Sequence, residues 1–147
     1  MVRRVALELV PLANAVVSLA PPVMIPNAPQ GTRVIVEVTG FDVKGERFCG
    51  HQKGVAAADW MTATPDGTLG TLDVRVTLET DDGAAVYVHY SGRIDLSEGF
   101  GAKPIYNAPL FETGDERYAW LNRIQAVAKG QLSPDLSRID YEIYELR

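Results

Sequence analysis

Asp73 and Arg75 stand two positions apart in the stretch Leu72–Tyr90, "LDVRVTLETDDGAAVYVHY", and Tyr87 and His89 stand two apart further along it. In an extended chain, a spacing of two puts side chains on one face. A carboxylate, a guanidinium, a phenol and an imidazole on a shared face supply charge, hydrogen-bond donors and a proton carrier. Arg75 is suited to hold a substrate carboxylate or enolate oxygen through two parallel bonds. Upstream, Asp59 precedes Trp60, and downstream Glu112 follows Phe111. A carboxyl desolvated by an aromatic neighbour has a raised pKa, near the range where acid–base catalysis at neutral pH is efficient. Tyr87, Tyr118 and Tyr144 are candidate donors to a carbonyl oxygen. Trp60 and Trp120 are candidate apolar walls for a ring-shaped ligand.

These residues need elements to position them. "TDDG" (Thr80–Gly83) predicts a type I turn followed by a left-handed glycine, a three-residue hairpin loop with a bulge. Thr80 then lies opposite Ala84. Leu78 faces Val86, Val76 faces Val88 and Val74 faces Tyr90, while Thr77 faces Tyr87, Arg75 faces His89 and Asp73 faces Ser91. A two-residue loop would mix polar and apolar side chains on each face, because a slip of one reverses every side chain. The polar face has two readings. It is a solvated exterior with cross-strand ion pairs, as antiparallel sheets usually show, or it lines a polar barrel lumen with the apolar face packed outward. The catalytic expectation takes the second.

Along the rest of the chain, short runs alternate with Gly, Pro, Asn and Asp. Strands are expected over Val5–Val10, Ala15–Leu19, Arg33–Thr39, Glu46–Cys49, Leu69–Thr80, Ala84–Ser91, Pro109–Glu112, Leu121–Lys129 and Arg138–Leu146. The proline-rich Pro21–Thr32 reads as a connection. Asp115, Glu116 and Arg117 can start one or two helical turns. No long helical stripe is present. Many short strands with turn signals between them predict an all-β fold, a closed or nearly closed antiparallel β-barrel, as one domain over residues 1–147. Closure also removes exposed sheet edges.

The charge balance excludes several classes. With 14 Lys and Arg against 19 Asp and Glu, the net charge is -5, and no basic run is present. That disfavours nucleic acid and anionic membranes as partners. No stretch approaches the roughly 18 apolar residues of a membrane helix. "MVRRVALELVPLANAVVSLA" resembles a leader, but Glu8, Pro11 and Asn14 interrupt its apolar run. The single cysteine, Cys49, permits no internal disulfide and suits a reducing, cytoplasmic setting. It reads as a small buried hydrophobe. His51 and His89 are the only histidines, without metal-ligand spacing, so no metal is expected. The phosphate-binding glycine patterns and the serine elbow are missing, so no nucleotide cofactor is expected.

Five segments resemble one family: "PNAPQGTRVIVEVTG", "GVAAADW", "LDVRVTLETDDGAAVYVHYSG", "APLFETGDERYAWLN" and "IDYEIYEL". They are similar to the uncharacterised family named domain of unknown function 3237, over essentially the whole chain, with "FETGDERYAWLN" the most specific part. The resemblance implies a small barrel-like domain, homo-oligomeric and metal-free, whose members handle small molecules, some in secondary metabolism or the breakdown of organic compounds. Matching positions include Asp59, Trp60, Asp73, Arg75, Tyr87, Tyr90, Glu112, Tyr118, Trp120 and Asn122. Where the family has glycines before the Asp-Trp pair, this chain has Ala56, Ala57 and Ala58, which narrows backbone freedom there.

The sequence reading is therefore a small-molecule-binding barrel, a cofactor-independent acid–base enzyme (isomerase, cyclase, or lyase/hydratase) acting on a carbonyl-containing or aromatic compound. Asp59 or Asp73 carries the proton, and Arg75 and Tyr87 stabilise the oxyanion. Trp60, His89, Glu112, Tyr118, Trp120 and Asn122 bind substrate. The alternatives are a non-catalytic carrier or sensor, and a structural module without a site.

Overall fold

The hairpin forms as the turn chemistry demands. In the computed structural model, which describes residues 3–147, Gly83 adopts φ +93° and its N–H donates to the Thr80 carbonyl at 2.9 Å. The register pairs Val74 with Tyr90, Arg75 with His89, Val76 with Val88 and Leu78 with Val86, as expected.

Eleven strands are present: β1 (Leu9–Leu19), β2 (Val23–Ala28), β3 (Gly31–Lys44), β4 (Cys49–Gln52), β5 (Ala58–Ala63), β6 (Leu69–Thr80), β7 (Ala85–Asp95), β8 (Ile105–Asn107), β9 (Leu110–Glu112), β10 (Ala126–Leu132) and β11 (Arg138–Leu146). Hydrogen bonds link β6, β5, β3, β1, β11, β10, β8 and β7 in turn, and β7 returns to β6. The result is a closed eight-stranded antiparallel barrel. β4 extends the β5 position, pairing with β3 and β6 beyond its end, and β9 likewise extends β8 along β7.

Several local expectations differ: β5 and β8 lie where no strand is expected, Ala15–Leu19 is part of the longer β1, and the strand expected over Glu46–Cys49 runs instead as Cys49–Gln52. Residues 5–8 are outside any strand, and β1 begins at Leu9 and absorbs Pro11 at a register shift. The proline-rich connection contains a strand, β2, paired only with β3; Pro26 lies at its register shift, where no ladder bond is required. The run expected as a strand from Leu121 starts instead as a 3₁₀ helix, Glu116–Arg123. Asp115 caps it by accepting the Arg117 N–H at 2.9 Å, and strand resumes at Ala126.

The even-numbered side chains of β6 and of β7 to Tyr90 point into the barrel. Val76 is 1% exposed, and Leu78 and Val86 are fully buried. The odd-numbered polar face is the outer wall, which corrects the expectation of a polar lumen. Magnitudes explain the choice. Burying one Val or Leu side chain contributes roughly 1.5–3 kcal/mol, whereas an exposed ion pair contributes about 0–1 kcal/mol.

The lower half of the barrel is solid. Phe48 stacks edge-on against Phe111 at 5.8 Å and Tyr118 at 6.3 Å, and fully buried Leu121 of the 3₁₀ helix plugs that end. Toward the upper half, Gly130 on β10 lets the Tyr141 ring of β11 lie across it: a Cβ there would meet the ring at 2.4 Å. Gly130→Ala therefore forces that ring from its place, and a loss of about 1–3 kcal/mol in denaturant unfolding is expected.

Candidate functional site

β1, β3, β5, β6, β7, β10 and β11 each send a side chain into a hollow in the upper half of the barrel, of about 260 Å³. Val17, Val34, Met61, Ile94, Leu132 and Ile139 are among its apolar walls. Met24, Phe100 and Leu136 also line it yet are 54%, 45% and 39% exposed, so they form its mouth. Leu136 sits there with φ +64°, a left-handed conformation that costs a branched residue energy. The lower half holds only a void of about 10 Å³ with an apolar lining.

Three residues bring polar atoms to the upper hollow: Asp59, Tyr90 and Tyr141. Strand alternation in β5 turns Asp59 and Met61 inward and Trp60 outward. Cross-strand pairing of β5 with β6 lapses at Trp60 and Met61, and the Asp59 carboxylate takes up a backbone donor near that gap: Asp73 N–H donates to Oδ1 at 3.0 Å. Burial pushes the Asp59 pKa up to about 7; the Asp73 N–H opposes the rise and the Asp73 charge adds to it. Asp59 is partly buried and lines the hollow. A carboxyl with a pKa near neutrality is suited both to give and to take a proton.

Tyr90 and Tyr141 pack edge to face at 6.1 Å, and burial raises both phenols above their ordinary range, so both remain protonated. Behind them, the Tyr141 hydroxyl and both polar side-chain atoms of Asn107 are buried without a well-aligned hydrogen bond, although Tyr141 lies close enough to Tyr90 and Asn107 to interact weakly with both. Buried polar groups without a well-formed partner cost up to roughly 1–3 kcal/mol each and call for an explanation.

Of the residues given a catalytic or binding role in the sequence reading, Asp59 alone faces the hollow. Asp73 and Arg75 point outward with 45% and 59% of their side chains exposed, and Asp73 Oδ1 lies 3.0 Å from His89 Nε2 and 3.9 Å from Arg75 Nε. Tyr87 and Trp60 are exposed on the same outer wall. Glu112, Tyr118, Trp120 and Asn122 belong to the opposite, closed end. Glu112 is exposed, the Tyr118 hydroxyl donates to Asp82 at 2.8 Å, and Arg47 stacks over Trp120 at 4.6 Å. Asn122 clamps the backbone of Thr113 by accepting its N–H and donating to its carbonyl. Tyr144 points outward to Glu142, and the Cys49 thiol donates to the Gly45 carbonyl. The expected pocket of these residues does not assemble, because strand alternation turns one group outward and chain topology sends the other to the far end.

Tyr90 enters the sequence reading only as a family-matching position opposite Val74, without a site role, and Tyr141 is not singled out in it. Both sit in alternation with buried aliphatics: Val86, Val88, Tyr90, and Ile139, Tyr141, Ile143. A phenol in an otherwise apolar register was the available signal.

The fold and its hollow define a class: a closed antiparallel barrel with an apolar lumen that carries a single carboxyl. The chain belongs to the family described as "Protein of unknown function (DUF3237)", which matches residues 7–146. It is 30% identical over 128 residues to a "UPF0311 protein" of Rhodopseudomonas palustris, covering 79% of this chain and 81% of that one. It is also 30% identical over 112 residues to the "Hydroalkoxylation enzyme phnH" of Penicillium herquei, covering 76% of this chain and 64% of the enzyme. Among solved structures, a β-barrel like protein from Acinetobacter baumannii superposes with a TM-score of 0.85 at 28% identity, over the full length of both chains. A Penicillium herquei enzyme superposes at 0.74 and 22% identity, a likeness of fold. No helix among the described residues is long and apolar enough to cross a membrane.

The raised Asp59 pKa has a thermodynamic signature. The unfolded chain ionises near 3.8 and the folded one near 7, so between those values the folded state holds the extra proton. Stability is full below about pH 4, falls as pH rises through that window, and levels off above about 7, for a total on the order of 4 kcal/mol. Asp59→Asn keeps the acceptor for Asp73 N–H and should remove this dependence, unfolding later than the parent at pH 8 and alike at pH 4 in parallel melts. Arg75→Ala, by contrast, should change unfolding free energy by less than about 1 kcal/mol.

Proposed function

We propose that the upper lumen binds a small, mostly apolar organic molecule bearing an oxygen function and catalyses cofactor-independent acid–base chemistry on it, with Asp59 as the proton carrier. The observation that carries this reading is the placement of Asp59. It is a lone carboxyl in an apolar hollow large enough for a ligand, held by one backbone N–H and with no basic side chain beside it. A desolvated carboxyl near neutral pKa is suited to general acid and general base roles in one cycle. Tyr90 fronts the same hollow, close enough to Asp59 for the carboxylate to raise its pKa, and supplies a phenol toward a carbonyl or hydroxyl oxygen.

Within that chemistry, ring closure by addition of an O–H across a C=C is the favoured reaction. The printed name of the Penicillium relative supports it: hydroalkoxylation is that addition. The balance needs no redox partner. The attacking oxygen forms a C–O bond and loses its proton to Asp59. The π pair moves to the neighbouring carbon, which takes a proton back, and the carboxyl ends as it began. The apolar walls exclude water, which would otherwise compete as the nucleophile.

A thermal-shift screen against hydroxy-aromatics, enones and lactones identifies ligands, and phenols carrying an alkene or enone within reach of the hydroxyl then serve as assay substrates. Asp59→Asn should lower turnover by at least about 100-fold while leaving ligand-induced melting shifts in place. Ligands that raise the melting temperature but yield no product with the parent protein would make the barrel a carrier.

A further inference from the structure

From the charges around the lumen we infer that its ligand is uncharged: a phenol, ketone, aldehyde, ether or lactone, and neither a carboxylate nor an amine. This rests on the reading of the lumen as a ligand site and narrows its substrate class.

The argument begins with what is missing from the wall. None of the residues lining the hollow is Lys, Arg or His. The cations that flank this half of the barrel are committed outside it. Arg75 faces Asp73 on the outer wall, Arg33 Nη1 donates to the Trp60 carbonyl at 2.9 Å, and Lys103 pairs with Asp95 at 2.9 Å. The mouth is equally uncharged, framed by Met24, Phe100 and Leu136. An anionic ligand would leave water for an apolar site without a counter-ion and would meet Asp59, a carboxyl that ionises in the physiological range. Both effects oppose binding.

A cation fares little better. Its pairing with Asp59 in a desolvated site roughly offsets the cost of stripping both ions. An ammonium also brings three donors, and the lumen offers few acceptors besides the Asp59 carboxylate, one oxygen of which already accepts Asp73 N–H. A neutral oxygen function suffers neither cost. It accepts a hydrogen bond from protonated Asp59 or from the Tyr90 phenol, while a carbon skeleton fills the aliphatic walls. The sequence-level idea of a carboxylate clamped by Arg75 is thereby replaced, since that guanidinium lies beyond the barrel wall.

Calorimetric titration of the full chain at pH 8, where Asp59 is mostly ionised, with five probes of one shape tests this: naphthalene, 2-naphthol, 2-naphthaldehyde, 2-naphthoate and 2-naphthylmethylammonium. The naphthol and aldehyde are expected to bind at least about tenfold tighter than either ion. Asp59→Asn should improve naphthoate binding at least about threefold. Trp60→Ala, on the outer wall, should leave the order unchanged. Naphthoate or the ammonium probe binding as tightly as the neutral probes overturns the inference, as does naphthoate binding unaltered by Asp59→Asn. Failure of all five probes, naphthalene included, speaks instead against the lumen as a ligand site and takes the proposed function with it.

Discussion

Everything in this fold follows from the inward burial of one apolar row on each strand of the central hairpin. Val74, Val76 and Leu78 of β6 and Val86, Val88 and Tyr90 of β7 face one another across a ladder whose register the Asp81–Gly83 turn sets. Once that row points inward, pleating assigns every neighbouring residue a side, and closure of β7 on β6 leaves no edge at which the assignment can be relaxed. The polar row, with its Asp73–Arg75–His89 group, must then meet water. Its ion pairs are the ordinary furniture of an outer wall.

Against that rule Asp59 is the exception that carries meaning. β5 places it inward by the same alternation that buries Met61, and the surrounding apolar walls raise its pKa to about 7. A stable core has no use for such a group: an aliphatic side chain there would remove the burial penalty. The poorly aligned polar contacts of the Tyr141 hydroxyl and the Asn107 amide are a second local cost in the same barrel. Costs of a few kcal/mol matter when whole domains are stable by about 5–15 kcal/mol. Asp59 faces the hollow itself, and a desolvated carboxyl in a cleft is the pattern expected where structure is held for chemistry.

Much of the fold was legible in the sequence, and less of the site. Turn residues are local signals, so the hairpin, its loop length and its register could be derived from "TDDG" and strict alternation. The all-β class and barrel closure followed from spacing, but the strand count did not: nine strands are expected and eleven are present among the described residues, with β5, which carries Asp59, among those missed. β2 was hidden because Pro26 is tolerated on an edge strand that sequence alone does not identify as an edge. The site was misread for a related reason. Pattern separates two faces but does not say which is inside, and charged residues drew attention to the wrong one. Asp59 was found because it stood beside an aromatic. Yet Trp60, its neighbour, points outward, and the desolvation comes from side chains on other strands that no local window contains.

The division of the barrel into two halves explains why the most distinctive segment contributes nothing to the hollow. "FETGDERYAWLN" builds the closed end, where Asp115 is held by Arg117, Tyr118 reaches Asp82, Asn122 clamps Thr113 and Leu121 seals the core. Rare polar and aromatic residues are needed there because a 3₁₀ helix must be tied to two strands and a turn through specific hydrogen bonds. The open end is lined mostly by aliphatic side chains of varied size, which leave little trace in a sequence. Under the proposed function, ligand preference would then fall to wall residues such as Val17, Met24, Phe100 and Leu136, with Asp59 held where β5 puts it.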